Sequence, residues 1–230
     1  RFDLLAPLTL DNFARAWEAA PFARYFVNTI ALVAMILACQ LVLATLAAYA
    51  FARYEFTGRN VLFALVLVQL MIMPDILLVE NYKTMAALGL VDTLLAIGLP
   101  YFASAFAIFL LRQYFMQIPK ELFDAARIDG AGHLRYLTTM LTPLAKPAIM
   151  TVGLLQFIGS WNEFKWTQLV TRTLEQRTLS VSLQNFLQTD GGAEGQLAMA
   201  VAVMIVVPII ILYFFTQQYF VEGVAKSGLK

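Results

Sequence analysis

The sequence is short of charge, cysteine and histidine. Charged residues make up 13% of the 230 residues and hydrophobic residues 60%, whereas a soluble domain carries about 25% charge. One cysteine, Cys39, allows neither a disulfide framework nor a cysteine metal cluster. The phosphate-binding loop pattern of ATPases is missing, and a net charge of +1 without a basic stripe argues against nucleic-acid binding. We therefore expect no metal, no nucleic-acid partner and no ATP hydrolysis by this chain alone.

Long uncharged runs take the place of these features. A spanning helix needs about 20 mostly apolar residues. The candidate runs are residues 25–52, 60–74 (extendable to 79), 93–111, 147–162 (borrowing from the preceding TPLA) and 195–221. Membrane helices tolerate prolines such as Pro74, Pro100 and Pro208, because neighbouring groups satisfy the freed carbonyl. The sequence predicts an all-α membrane protein with five spanning helices in one domain over residues 25–222.

The distribution of Lys and Arg predicts the orientation. Residues 52–60, 112–147 and 221–230 hold nine Lys and Arg, whereas residues 1–24, 80–92 and 163–194 hold seven in a longer total length. Cytoplasmic loops are the more basic ones, so we expect the first set inside a bacterial or archaeal plasma membrane. This places segment 1–24 outside and the tail 223–230 in the cytoplasm. The start RFDLLAPLTLDNF has neither Met nor a signal pattern, and we expect that a preceding piece is missing.

One stretch, ELFDAARIDGAGHLRYLTTMLTP at residues 121–143, is charged and interrupted by glycines. Glu121 suits the first turn of a helix, and Gly130 suits its end, where a left-handed residue is common. Ala125 and Ala126 leave one face of this helix nearly bare, so another backbone could approach it closely. A second helix is expected to place Leu134, Leu137, Met140 and Leu141 on one apolar face. On periodicity alone, an amphipathic loop lying on the membrane is an equal alternative.

The stretch resembles the EAA loop of permeases from binding-protein-dependent ABC importers. That pattern is Glu-Ala-Ala, three residues, Gly, nine residues, Ile, one residue and Leu-Pro. The matching positions here are Asp124-Ala125-Ala126, Gly130, Met140 and Thr142-Pro143, with Asp for Glu, Met for Ile and Thr for Leu. The motifs ARIDGA, GSWNEF, FVEGVAKSGLK and LTLDNFARAW are similar to the carbohydrate-uptake branch, the maltose and glycerol-3-phosphate type. The resemblance covers essentially the whole chain.

This resemblance implies the transmembrane domain of a type I ABC importer for a sugar or sugar-like solute, with the family's first helix absent from the sequence. It implies that the EAA loop, residues 119–143, forms a coupling helix that docks on a cytoplasmic ATPase. The docking residues it implies are Glu121, Asp124, Ala125, Ala126, Arg127, Asp129, Gly130 and Pro143. The implied partners are a second permease subunit, two ATPase subunits, an extracytoplasmic solute-binding protein and membrane lipid. This chain would hold no cofactor, because ATP and Mg would bind the ATPase.

Polar residues inside apolar runs indicate where a solute could pass. Amide and carboxylate groups beside an aromatic face are suited to binding sugars. The candidate path residues are Gln69, Met73, Gln156, Trp161, Asn162 and Glu163. Trp161 has an equal alternative as an aromatic residue at the membrane interface.

Other polar residues have simpler interpretations. Gln40 and Ser104 are expected to form hydrogen bonds between helices, a common use of polar side chains in membranes. Asp75 and Glu80 are expected to be docking or solvated charges. His133, the single histidine, is expected to be solvated in its loop.

Three rival functions remain. The first is an importer of the same type for a solute that is not a sugar. The second is an ion-driven secondary transporter, which needs charged or broken helices at mid-membrane, and no charge lies central to a predicted span. The third is a helical scaffold without transport, which leaves the EAA pattern unexplained.

Overall fold

The computed structural model describes the backbone of residues 10–189 and 195–228, which form helices and turns without a strand. The α-helices are α1 Asp11–Ala19, α2 Phe22–Arg53, α3 Arg59–Val68, α4 Leu78–Ala87, α5 Leu94–Gly98, α6 Ala105–Gln117, α7 Glu121–Ile128, α8 His133–Tyr136, α9 Thr142–Leu144, α10 Lys146–Trp161, α11 Lys165–Val170, α12 Leu179–Thr189 and α13 Gly195–Gly228. The first nine residues of the predicted segment 1–24 and the last two of the predicted tail 223–230 lie outside the described residues.

Two helices are each long and apolar enough to cross a membrane: α2 and residues 196–217 of α13. Three bent pairs have the same property when both halves are counted together, which gives up to five spans among the described residues. The helix of α13 continues through most of the predicted tail, to Gly228, and contains Pro208. Apolar composition therefore located all five regions, but three of them are not single straight helices.

The second predicted span, residues 60–79, is broken. The helix that begins at Arg59 ends at Met71, and the next begins at Pro74 at an angle of 91° to it. Ile72 and Met73 between them have extended backbone, with ψ of 119° and 129°. A residue before proline is pushed out of the helical region by the proline ring. The second predicted span therefore consists of two helices that meet at a break, and not of one straight helix.

The third and fourth predicted spans are also bent. Leu94–Tyr101 and Ala105–Gln117 meet at 45°, and the Ser104 side chain caps the second helix by accepting from the Ala107 N–H. The TPLA sequence was expected to extend the fourth span. Its residues instead end the preceding helical segment, His133–Leu144, which meets α10 at 79°.

Helix α2 is the centre of the fold, packing against α5, α6 and α10, while α13 packs against α1, α10 and α12. The largest buried cluster lies where α2 and α6 end and the EAA loop begins. Its members include Tyr49, Leu111, Phe115, Tyr136 and Leu141. We call this part of the molecule the loop end.

Two arginines tie α2 and α6 together at the loop end. Arg53, the last residue of α2, donates to the carbonyl oxygens of Phe115 (3.0 Å) and Ile118 (2.8 Å) at the end of α6. In return, Arg112 of α6 donates to Phe51 O of α2 at 3.2 Å, and its guanidinium lies 4.1 Å from the centre of the Phe63 ring. The last carbonyls of a helix lack partners within the helix, and each arginine satisfies those of the neighbouring helix.

Candidate functional site

A cavity of about 730 Å³ lies where the middle of α2 faces the breaks between α3 and α4 and between α5 and α6. The end of α10 and the start of α11 complete its wall. We call this part of the molecule the cavity end. Of the predicted path residues, Gln69, Gln156, Asn162 and Glu163 line the cavity. The fold thus brings four residues, of which Gln69 and Glu163 are 94 positions apart in sequence, to the wall of one cavity.

Two amide side chains in the cavity wall also hold helices together. Gln69 Oε1 accepts from the Ala105 N–H at 2.9 Å, which joins α3 to the first turn of α6. Gln156 donates to Gln40 Oε1 at 2.7 Å, which joins α10 to α2. The expectation that Gln40 bonds between helices is confirmed, and Gln40 also lines the cavity.

Asn162 and Glu163 occupy the turn between α10 and α11. Asn162 Nδ2 donates to Ile158 O of its own helix at 2.9 Å. Glu163 accepts from the Trp166 N–H at 2.9 Å, so that its carboxylate satisfies a first-turn donor of α11. Both side chains are thereby fixed at the cavity wall.

Trp161 does not line the cavity. It is 2% exposed, donates from Nε1 to Ile205 O of α13 at 3.1 Å and stacks on Phe157. A buried indole N–H needs an acceptor, and α13 supplies it. Met73, which lies in the break between α3 and α4, does not line the cavity either, and 71% of its surface is exposed. The placement of both residues departs from the sequence expectation.

Four aromatic residues line the cavity: Tyr101, Phe106, Phe164 and Trp166. Trp166 is almost fully buried, and its Nε1 lies 3.2 Å from both Ala96 O and Ile97 O. No local sequence pattern identifies Trp166 as a cavity residue, because the carbonyl groups that hold its indole N–H belong to α5, about 70 residues earlier.

An ion pair crosses the rim of the cavity. Lys165 Nζ lies 2.6 Å from Asp75 Oδ2, and this hydrogen bond raises the pKa of Lys165 above its ordinary value. Glu80 pairs with Lys83 at 2.8 Å. All four side chains are well exposed, and such pairs contribute little to the stability of a fold. Asp75 is therefore a paired charge at the rim.

The EAA loop presents α7 on the surface of the loop end. Gly130 has φ of +76°, which confirms the predicted left-handed stop. Most of the predicted docking residues are exposed: Glu121, Asp124, Ala125, Arg127, Asp129, Gly130 and Pro143. Ala126 is the exception at 1% exposed, because it packs into the buried cluster of the loop end. The expectation that Ala126 offers a bare face to another protein is wrong.

The outward face of α7 is apolar at three positions one turn apart. Leu122, Ala125 and Ile128 are all exposed, and Ile128 reaches 87%. Residues three apart lie on one helix face, so this spacing could have identified the face from sequence. The inward face is formed by Phe123 and Ala126.

The helix after Gly132 differs from the prediction in its register. Leu137 and Leu141 are buried, whereas Leu134 and Met140 are exposed. A π-helical turn spans Leu137–Leu141. Such a turn inserts an extra residue and shifts the face on which later side chains lie, so the four residues do not form one apolar face.

His133 is exposed, as expected, but its ring also has specific neighbours. Its Nδ1 lies 2.7 Å from Tyr49 Oη, and its ring stacks on Tyr54 with centroids 4.6 Å apart. Neither partner could be identified from sequence, because both lie about 80 residues earlier, at the end of α2.

A bundle of spanning and broken helices around a polar cavity, with a separate surface helix at one end, is the architecture of a membrane transport component. The family model for the inner membrane component of binding-protein-dependent transport systems matches residues 21–226. The chain belongs to this family.

Several relatives resemble the chain over most of its length. The arabinooligosaccharide transport system permease protein of Halalkalibacterium halodurans is 38% identical over 97% of this chain and 80% of its own length. The sn-glycerol-3-phosphate transport system permease protein of Yersinia pestis is 30% identical over 96% of this chain and 84% of its own length. The maltodextrin transport system permease protein of Bacillus subtilis is also 30% identical, over 100% of this chain and 84% of its own length.

Solved structures share the fold. A chain of a bacterial ABC transporter that imports the acidic polysaccharide alginate matches with a TM-score of 0.81 and 28% identity, over 93% of this chain and 80% of that one. A second match, from an alginate transporter bound to a periplasmic protein that holds an alginate pentasaccharide, has a TM-score of 0.72 at 18% identity, over 91% and 81% of the two chains. The second likeness concerns the fold alone.

Proposed function

We propose that this chain is the permease subunit of an ATP-driven importer and forms half of the path for a sugar or sugar-like solute. The observation that carries this proposal is the cavity, where amide, carboxylate and aromatic side chains converge. Sugars offer many hydroxyl groups and apolar ring faces, which such side chains can bind. The names of the arabinooligosaccharide and maltodextrin relatives support a carbohydrate.

A second permease subunit completes the path. The cavity is open on one side, and polar groups exposed to hydrocarbon would lack hydrogen-bond partners. Apolar side chains such as Met71 and Ile76 surround the α3–α4 break and are exposed in the isolated chain. A second permease chain seated on this surface would cover both the cavity and the apolar residues. Lipid would cover the remaining apolar surface.

The EAA loop couples the path to a cytoplasmic ATPase, and ATP and Mg bind that partner. The exposed residues Leu122, Ala125 and Ile128 provide apolar contact, while Glu121, Asp124, Arg127 and Asp129 surround them with charge. Two ATPase subunits and an extracytoplasmic solute-binding protein complete the complex. The ATPase pair closes on ATP binding and reopens after hydrolysis, and the helices rock with it so that the cavity opens alternately toward the two sides of the membrane.

Five spans, with each bent pair crossing once, place the loop end and the turn around Leu174 on opposite sides of the membrane, and the more basic loops indicate which side is cytoplasmic. The loop end and the C-terminus face the cytoplasm, while the turn around Leu174 faces outward. Cysteines introduced as Ala125→Cys and Leu174→Cys, each in a Cys39→Ser background, are expected to react with an impermeant thiol reagent from opposite sides. Labelling from the same side would overturn the five-span arrangement.

The solute path is tested with Asn162→Ala in the reconstituted complex. We expect solute uptake to fall up to roughly tenfold, the effect of losing one buried hydrogen bond. Basal ATP hydrolysis and retention of the ATPase subunit should stay unchanged. Asn60→Ala, an exposed asparagine away from the cavity, is the matched control. Normal uptake by Asn162→Ala would place the path elsewhere.

A further inference from the structure

Five ring side chains meet at the loop end and connect α7 to α2. Tyr49 and Tyr54 come from the end of α2 and the residue after it, Phe123 comes from α7, and His133 and Tyr136 come from α8. We call these five residues the aromatic joint. They lie away from the cavity, and nothing in the proposed solute path uses them.

His133 holds the centre of the aromatic joint. It is hydrogen-bonded to Tyr49 at 2.7 Å, stacked on Tyr54 at 4.6 Å with 22° between the rings, and 5.1 Å from the centre of the Phe123 ring. One side chain therefore contacts both the end of α2 and α7.

Phe123 completes the connection from the side of α7. Its ring meets Tyr136 edge-on with centroids 5.0 Å apart, and Tyr136 in turn lies 6.4 Å from Tyr49. Tyr49 and Tyr136 are buried. Only Phe123 and Ala126 of the eight residues in α7 face inward, so the aromatic joint is a major part of what attaches this helix to the spans.

Helix α2 can carry a displacement from the aromatic joint to the cavity. Its 32 residues contain neither glycine nor proline, the usual causes of sharp kinks. Gln40 lies nine residues before Tyr49 on this helix, a rise of about 13.5 Å. At that point Gln40 lines the cavity and accepts the hydrogen bond from Gln156 of α10.

We propose that the aromatic joint makes α7 and the second half of α2 move as one body, so that a displacement of the EAA loop reaches the cavity wall at Gln40. His133 is a positioning residue in this connection, and it acts through Tyr49. The inference rests on the proposed function, in which the EAA loop docks on an ATPase.

The test uses the complete transporter complex, reconstituted with its ATPase and its binding protein. In His133→Ala, solute-stimulated ATP hydrolysis is expected to fall roughly three- to tenfold, the effect of losing one hydrogen bond and ring contacts. Basal hydrolysis, membrane level and retention of the ATPase subunit should stay at wild-type values. A purely structural role for His133 would lower all four together.

Four further variants sharpen the result. His133→Gln keeps an acceptor for the Tyr49 hydroxyl and should restore part of the stimulation. Tyr49→Phe should lower the solute-stimulated ATP hydrolysis. The double variant Tyr49→Phe/His133→Ala should hydrolyse ATP no more slowly than the less active of the two single variants, since the two residues share one interaction. Thr138→Ala, on the same segment with its hydroxyl bonded to Leu134 O, should behave as wild type.

Two negative outcomes are distinguishable. A wild-type complex whose ATP hydrolysis does not respond to solute would overturn the proposed function. A responsive wild type together with a fully responsive His133→Ala would overturn the aromatic joint alone.

Discussion

At the loop end, helices meet through close-packed side chains and the hydrogen bonds of Arg53 and Arg112, whereas at the cavity end they enclose an open space lined by polar and apolar side chains. The loop end buries Leu111, Phe115, Tyr136 and Leu141 almost completely. The cavity end contains hydrogen bonds between amide side chains, such as that from Gln156 to Gln40, and exposed ion pairs. Close packing resists deformation because interiors of this density leave no free volume.

This difference suits the two ends to different tasks. A surface that must transmit movement needs to keep its shape, and the dense loop end does so. A space that must open and close needs contacts that can be exchanged for contacts with water or solute at little net cost, and hydrogen bonds meet that requirement. The difference predicts that substitutions at the loop end mainly change stability, and substitutions at the cavity end mainly change transport.

The largest effect is expected for Arg53→Ala. Two charge-assisted hydrogen bonds to Phe115 O and Ile118 O would be lost, and we expect stability to fall by about 3 kcal/mol. Thermal unfolding in detergent measures this change. Arg59→Ala loses an exposed bond to Tyr54 O and should shift the midpoint little. Equal shifts for the two variants would show that the arginine bonds between α2 and α6 do not stabilise the loop end.

Ala126→Trp is expected to cost about 2 kcal/mol, because it forces a large ring into a packed site. Ala125→Trp is the control, since Ala125 is exposed and most surface substitutions change stability by less than about 0.5 kcal/mol. The same unfolding measurement compares the two. Retention of the ATPase subunit should fall in both variants, through displacement of α7 in the first and through steric block in the second. A stable Ala126→Trp protein would contradict the inward placement of Ala126.

Asp92, at the surface of the cavity end, is expected to make the stability of the fold depend on pH. Burial alone would raise the pKa of Asp92, but hydrogen bonds from the Thr173 and Arg172 N–H groups and the charge of Arg172 outweigh it, so the pKa lies below its ordinary value. A carboxylate with a lowered pKa in the folded state gives stability that is present above the unfolded pKa and lost as the pH falls through the folded value.

We therefore expect wild type to lose stability relative to Asp92→Asn when the pH is lowered from 7 to below about 4. Thermal unfolding across that range gives the difference between the two proteins, in which the titration of all other groups cancels. Asparagine also tolerates the left-handed backbone of this position, where φ is +67°. Parallel pH curves for the two proteins would mean that Asp92 contributes nothing through its charge.

The smallest change in stability is expected for Gln156→Leu. Hydrogen bonds between membrane helices contribute about 0.6 kcal/mol on average, so the unfolding midpoint should move little. Solute uptake should fall more clearly, because Gln156 and Gln40 both line the cavity. Uptake at the wild-type level together with a large loss of stability would reverse the comparison between the two ends.

Features that depend on neighbouring residues could be predicted from the sequence, whereas features that depend on contacts between distant residues could not. Gly130 was predictable because a left-handed helix stop depends on the glycine itself. The faces of α7 were misassigned because burial of Ala126 depends on Phe115, Tyr136 and other residues that only the fold brings together. Four of the six predicted path residues line the cavity, since a polar side chain in an apolar run needs a polar surrounding wherever it lies. Trp161 does not line the cavity, because its indole N–H donates to Ile205 O of α13.

The 91° break at Ile72–Met73 bears on how the chain enters a membrane. The half before it, Arg59–Met71, has 13 residues and rises about 20 Å, short of the roughly 30 Å of a hydrocarbon core. Neither half can cross the hydrocarbon core by itself. The free energy gained by transferring the apolar side chains from water to lipid is therefore obtained in full only when both halves insert together. We therefore expect the two halves to insert into the membrane together.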